Sequence, residues 1–322
     1  MNNSQFLSKC TADVIDNAAA HLIAGHLVAF PTETVYGLGA DASNEEAVRR
    51  IYEVKGRPTD HPLIVHISSV NSLHTWASDI PEYAIKLARD YWPGPMTLVL
   101  KRTSEAKNFI TGGQDSVAVR VPNNSVAIAL LQAFESKGGK GIAAPSANRF
   151  GQVSPTSSRD VLVELGNYLS IHDLILDGGK SAVGIESTII DCTKDAPQIL
   201  RPGAITSAMI EKSTGVEILA AIESDIRVSG SLEKHYAPIA KVILDQPPRV
   251  GQGLIAISNI ATPEGVFRIA APDTAEEFSR ILYESLRKGD TLGIREVVVI
   301  QPIGYGIEIG IRDRLNKAAR GR

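Results

Sequence analysis

Cysteine is scarce: the 322 residues hold two, Cys10 and Cys192. Two thiols build neither a disulfide framework nor a four-thiolate metal site. Aromatic residues are few, at 5%, and positive charge is not in excess, the net charge being −3. Both argue against a general nucleic-acid binder, so any phosphate recognition must be local. No apolar run approaches the length needed to span a membrane. The start, Met1–Cys10, is polar and lacks the apolar core of a signal peptide. Together these absences predict a cytoplasmic protein in a reducing compartment, without a membrane partner. What the chain does have is 43% hydrophobic residues, mostly aliphatic, and length for two domains.

The most informative stretch is Phe30–Ala42. The apolar run Leu27–Phe30 reads as a buried strand, and Pro31 stops its ladder. Thr32, Glu33, Thr34 and Tyr36 then stand just past a strand's carboxyl end, where open α/β sheets bind ligands. Gly37 and Gly39 are expected to turn the chain back toward the following helix. Ser43–Glu46 has the form of a capping box, and Gly56 ends that helix. In Lys55-Gly56-Arg57-Pro58 two cations flank a glycine. Extended, they point the same way and converge on one anion. The alternative is a lysine at a helix C-terminus with a solvated arginine.

Further on, Trp92-Pro93-Gly94-Pro95 reads as a rigid turn in which Trp92 packs. The strand Ser116–Pro122 puts Ser116, Ala118 and Arg120 on one face. A charge there is costly unless paired or facing a ligand, and the ligand is the favoured partner for Arg120. Ile142–Asn148 repeats the opening logic of apolar strand, proline and small polar residues. Ser154-Pro155-Thr156-Ser157 is expected to open a helix with Pro155 at its first position, a start that suits phosphate. Two decoys fail on spacing. Gly178-Gly179-Lys180-Ser181 lacks the earlier glycine of a Walker A loop, where Leu174 stands. Gly37-Leu38-Gly39-Ala40-Asp41-Ala42 matches a dinucleotide pattern, but lies six residues beyond the strand.

The chain divides into a first domain over 1–212, a linker over 213–238 and a small α/β unit over 239–322. The second unit is near the lower size for a self-sufficient core. The tail Arg312–Arg322 reads as a basic helix with a solvated face, weak RNA binding being the alternative use of its charges. Pooled, Lys55, Arg57, Arg120 and Arg201 join Thr32, Ser116, Ser146, Ser154 and Ser187. This set has no metal-ligand spacing and no Ser-His-Asp spacing. It suits phosphate and carboxylate chemistry run by positioning and electrostatics.

The sequence resembles the YrdC-domain family of threonylcarbamoyl-AMP synthases, in the long form with an extra C-terminal domain. The matching residues are Pro31–Leu38, Lys55–Pro58 with Pro62-Leu63, Trp92–Pro95, Val119-Arg120 with Pro122, Ala144–Asn148, Gly184–Thr188, Arg201–Gly203 and His235–Pro238. One departure is Ser229-Gly230, where long members usually carry Pro-Gly. The resemblance implies a twisted open mixed sheet with a second, smaller α/β Rossmann-like domain. It implies a nucleotidyltransferase joining L-threonine, bicarbonate and ATP. Its product feeds downstream tRNA threonylcarbamoyltransferase proteins. Thr32, His66, Arg120, Ala144 and Ser187 would hold threonine. Lys55, Arg57, Ser116, Ser146, Ser154, Arg201 and Tyr236 would hold ATP, with Lys55 and Arg57 in the catalytic role. Mg²⁺ would arrive with ATP, because only Glu33 and Glu186 lie inside the motifs. The linker is expected to fold across the cleft so that Tyr236 caps ATP. A related carbamoyltransferase is disfavoured, since such proteins usually carry cysteine-rich zinc segments.

Overall fold

The computed structural model describes residues 6–220, 225–230 and 235–321. The expected N-terminal stretch and the linker over 213–238 therefore lie partly outside the described residues.

Ten strands form one mixed sheet: β1 (Leu7–Lys9), β2 (Val28–Phe30), β3 (Gly37–Asp41), β4 (Ile64–His66), β5 (Met96–Lys101), β6 (Ser116–Arg120), β7 (Ile142–Ala143), β8 (Leu174–Asp177), β9 (Thr188–Asp191) and β10 (Gln198–Arg201). Their spatial order is β1-β8-β2-β3-β7-β4-β6-β5-β9-β10. The strands are apolar on both faces because both faces are covered. From β2, Val28 and Phe30 pack with Leu22 and Leu130 of the helices Ala12–Ile23 and Ser125–Ser136. Leu27 and Ala29 belong to the opposite core, with Val48 and Ile51 of the helix Glu45–Lys55 and Leu87 of Glu82–Tyr91. Trp92 is buried as a packing residue, its Nε1 donating to the Met96 carbonyl at 2.7 Å.

A second sheet is four-stranded and parallel: β11 (Lys241–Leu244), β12 (Gly253–Ile255), β13 (Phe267–Ala270) and β14 (Glu296–Val299), in the order β11-β14-β12-β13. The helices Ala275–Thr291 and Glu308–Ala319 bury Phe278, Leu282, Tyr283, Ile311 and Leu315 in its core. Val35, Val153 and Ile185 from the first sheet's loops join the same core. The two units thus share packed apolar surface.

Three local expectations are corrected. Gly37 and Gly39 do not turn the chain; they lie in β3, antiparallel to β2, and residues 31–36 make the turn. Gly39 is needed for closeness instead, since a Cβ there would meet Ile142 Cγ2 at 2.7 Å and Phe30 Cε1 at 2.9 Å. The helix Glu45–Lys55 is capped by Asn44, whose side chain accepts from Ala47 N, not by a box beginning at Ser43. The helix expected at Ser154 starts at Ser158, with Ser157 as N-cap and Asp160 completing the box. Pro155 lies outside it. Asp160 accepts from the Thr156 and Ser157 N–H groups, so that helix start already holds a carboxylate where phosphate was expected.

Candidate active site

The carboxyl ends of β2, β4, β6 and β10, with the loops beyond β7 and before β9, converge on one cavity of about 40 Å³. Thr32, Thr34, Tyr36, His66, Arg120, Ala144, Ser146, Glu186, Ser187, Arg57 and Arg201 border it. Ser229, Gly230, His235 and Tyr236 of the linker close it. Residues spread along the chain from Thr32 to Tyr236 therefore meet in space.

On one side the polar groups suit an amino acid. Arg120 Nη1 donates to Thr34 Oγ1 at 2.9 Å, and its Nη2 stands 2.7 Å from Glu33 Oε1 without hydrogen-bond alignment. Arg120 therefore has a buried ion partner as well as cavity exposure, which corrects the preference for a ligand alone. Thr32 Oγ1 donates to the Val35 carbonyl at 2.6 Å and accepts from the Thr34 and Val35 N–H groups, so its hydroxyl closes its own loop. Ser187 Oγ is 2.7 Å from Thr97 Oγ1 and accepts from Arg201 Nη2. His66 lies edge-on to Phe30, with Nδ1 buried and unpartnered. Burial and then the Arg120 charge push its imidazole down to about 3, so it is neutral.

On the other side stand the cations. Arg57 Nη2 donates to the Pro62 carbonyl at 3.0 Å and to Ser229 Oγ at 3.2 Å. Burial brings its guanidinium down to about 10. Arg201 donates to the Ser187 carbonyl through Nε and Nη2, and to the Ser229 carbonyl through Nη1 at 2.8 Å. Lys55 does not converge with Arg57. It is the last residue of its helix, Gly56 is left-handed, and the two side chains part. Lys55 Nζ donates to the Ser146 and Asn148 carbonyls, each at 2.5 Å, behind the cavity wall. Burial, then the Arg57 charge, lowers it well below the ordinary lysine value.

Two further expected ATP contacts stand off the cavity. Ser116 is four residues from Arg120 along β6, about 13 Å, and borders a narrower neighbouring space with Pro62, Val99 and Ser229. Ser154 Oγ donates to Glu186 Oε1 at 2.6 Å.

The residues sequence reasoning left without a role are Glu186 and those holding it. Tyr283 Oη and Arg314 Nε both donate to Glu186 Oε2 at 2.8 Å. Burial alone would raise this carboxyl, but the Arg314 and Arg201 charges and the hydrogen bonds hold it at about 2. Tyr236 stacks on Tyr283 with ring centres 5.7 Å apart, and the Arg314 guanidinium lies 5.6 Å from the Tyr236 ring centre. The solvated tail is thereby corrected: Arg314 is fully buried in the contact between the two units. Nothing in its sequence neighbourhood separates Arg314 from Arg312 or Lys317. Among the described residues no cluster of three or more His, Cys, Asp or Glu side chains could hold a metal ion. Nor is any helix among them long and apolar enough to cross a membrane.

Comparison with known proteins identifies the family. A Sua5/YciO/YrdC family model, described as "Telomere recombination", matches residues 20–203. A model described as "Threonylcarbamoyl-AMP synthase, C-terminal domain" matches residues 205–320. A threonylcarbamoyl-AMP synthase from Pyrococcus abyssi is 40% identical, the match covering 94% of this chain and 93% of the relative. One from Bacillus subtilis is 36% identical over 96% and 93%. The structure of P. abyssi Sua5 complexed with L-threonine superposes with a TM-score of 0.87 at 38% identity, covering 98% of this chain and 96% of that one. The chain belongs to the threonylcarbamoyl-AMP synthase family, in the form that joins a YrdC-type domain to a Sua5-type C-terminal domain.

Proposed function

We propose that this chain makes L-threonylcarbamoyl-AMP from L-threonine, bicarbonate and ATP, releasing pyrophosphate, for N6-threonylcarbamoyladenosine in tRNA. The observation that carries the reading is the meeting in one cavity of Thr32, His66, Arg120, Ala144 and Ser187 with Arg57 and Arg201. The threonine amine captures bicarbonate, water leaves, and a carbamate forms. A carbamate oxygen then attacks the α-phosphorus of ATP and pyrophosphate departs. Carbamate and triphosphate repel each other, so fixed cations must bring them together. In-line transfer needs alignment and charge neutralisation rather than a protein nucleophile.

In this reading Arg120 takes the threonine carboxylate, Ser187 and the Thr32 loop border its side chain, and Ala144 walls off its methyl group. Neutral His66 fits beside a cationic arginine without adding repulsion. Arg57, Arg201 and Ser146 take the phosphates, and Lys55 reaches them once it leaves the Ser146 and Asn148 carbonyls. Ser116 lies further along β6, where an elongated nucleotide would extend. Glu33 and Glu186 are committed to Arg120 and Arg314, so Mg²⁺ would come with the triphosphate.

A cavity of about 40 Å³ has room for a few waters and not for ATP. Ser229, Gly230, His235 and Tyr236 must therefore lift off Arg57 and Arg201 for ATP to enter. Tyr236 then caps the nucleotide. Tyr236→Ala is expected to raise the ATP KM; an unchanged KM counts against the cap. The test of the reaction is pyrophosphate release that requires threonine and bicarbonate together, with no RNA present. Release indifferent to threonine would sink the reading.

A further inference from the structure

The small C-terminal unit is more than a neighbour of the cleft. Its helix Glu308–Ala319 comes within backbone contact of the first domain. A Cβ on Gly310 would meet the Gly203 Cα at 3.1 Å and Ile185 Cδ1 at 3.0 Å. One turn later the same helix delivers Arg314, fully buried. Its guanidinium is spread over three first-domain acceptors. Nε donates to Glu186 Oε2 at 2.8 Å, Nη2 to the Glu186 carbonyl at 3.2 Å, and Nη1 to the Pro202 carbonyl at 2.7 Å. Asp313 Oδ2 completes its shell, at 2.7 Å from Nη1.

Those acceptors are not scattered. Glu186 directly precedes Ser187 at the start of β9, and Pro202 directly follows Arg201 at the end of β10. Ser187 and Arg201 are themselves hydrogen-bonded to each other. We infer that Arg314 is a positioning residue for the threonine side of the cleft, fixing Ser187 and Arg201 relative to each other from across the domain contact. The planar fork is what the task requires: one rigid group reaches a carboxylate and two carbonyls at once, and a lysine ammonium on its flexible stem does not. Tyr283 supports the same carboxylate from the helix Ala275–Thr291, and Ser154 from the first domain. The C-terminal unit thus braces a wall of the site from behind without bordering the cavity itself. This inference rests on the reading that threonine lies against Ser187.

The experiment is steady-state kinetics on the full chain with Arg314→Lys and Arg314→Met. A residue needed only for folding lowers the active fraction, and so the apparent kcat, while the threonine KM stays put. A positioning residue raises the threonine KM. A rise of threefold or more in variants that melt cooperatively supports the proposal, and a smaller change overturns it whatever happens to kcat. If the methionine variant does not fold, because Glu186 is left buried and unpaired, Arg314→Lys and the charge-free pair Glu186→Gln with Arg314→Gln decide by the same criterion. Lys180→Ala, which removes the exposed domain-bridging pair with Glu284, is expected to leave the threonine KM within twofold; a threefold rise there would make the effect general to the interface and overturn the proposal. Titration of L-threonine into the unaltered protein separates the two claims. No binding there refutes the threonine-site reading itself.

Discussion

Acid should weaken this protein through two imidazoles that the fold keeps neutral. His66 and His235 are buried, and in both burial is the largest cause lowering the pKa to about 3. The Arg120 charge pushes His66 the same way; Lys55 and Arg57 do so for His235, partly offset by Glu186. In the unfolded chain each ring titrates near its ordinary value, about 6.5. Between those values the unfolded state binds more protons than the folded one, so stability rises with pH across the window and is lost as pH falls below about 6.5. At pH 5 an unfolded ring is protonated and the folded ring is not, a difference of about 2 kcal/mol per histidine, or about 4 for both. The assay is urea unfolding at pH 8 and pH 5 for the parent, His66→Gln and His235→Gln. The readout is the difference between the two pH values within each protein, so a general packing loss in a variant cancels. Each glutamine variant should lose about 2 kcal/mol of that pH dependence. A variant as acid-sensitive as the parent would show that its ring is already protonated in the fold, and the neutral-histidine account would be wrong.

Further outcomes follow from the same geometry. Lys55 is depressed by burial and by Arg57, so an anion brought near it raises its proton affinity again, and ATP binding is expected to take up protons rather than release them. Calorimetry at pH 8.5 in two buffers of different ionisation enthalpy measures this, and a binding heat independent of buffer would refute it. Gly39→Ala forces a methyl against Ile142 and Phe30. It should cost about 1–3 kcal/mol by urea midpoint, and an unshifted midpoint would show that the two strands can part. Ala144→Leu should raise the threonine KM about tenfold or more by filling the methyl wall. A variant that uses threonine normally would remove Ala144 from the site.

The sequence was informative where function sits on short local signals. The strand Val28–Phe30, the loop after it, the Gly56 helix end, most strands of the first sheet and those of the second follow from periodicity, proline and glycine, while β1 and the glycine-bearing β3 do not. What escaped was pairing across long sequence separations. Arg120 reads from sequence as awaiting a ligand because its partner, Glu33, lies 87 positions away, and no local pattern links β6 to the loop after β2. The charge-rich helix around Arg314 predicts a solvated side chain, and only the docking of that helix on Glu186, 128 positions away, buries it. Ser154 showed a plausible cap sequence, but Ser157 with Asp160 offered the better box and took the helix start. In each case tertiary contact chose between two locally reasonable alternatives.

The partners the cations found divide them into two kinds. Arg120 and Arg314 stand against carboxylates. Lys55, Arg57 and Arg201 donate to carbonyl and hydroxyl oxygens: Ser146, Asn148, Pro62, Ser187 and Ser229. A carboxylate facing a phosphate-binding cation would have to be displaced, or would repel the incoming anion. A neutral oxygen satisfies the donor in the closed cleft and is surrendered at the cost of about one ordinary hydrogen bond. Burial lowers the pKa of all three, and the nearby carboxylates offset it only in part. The closed cleft therefore stores unfavourable desolvation that a triphosphate relieves. Two of the surrendered oxygens belong to Ser229 in the linker. On the function proposed above, the groups that satisfy Arg57 and Arg201 in the closed cleft are the ones that must leave when it opens, so that nucleotide entry and linker release would be one exchange of hydrogen-bond partners.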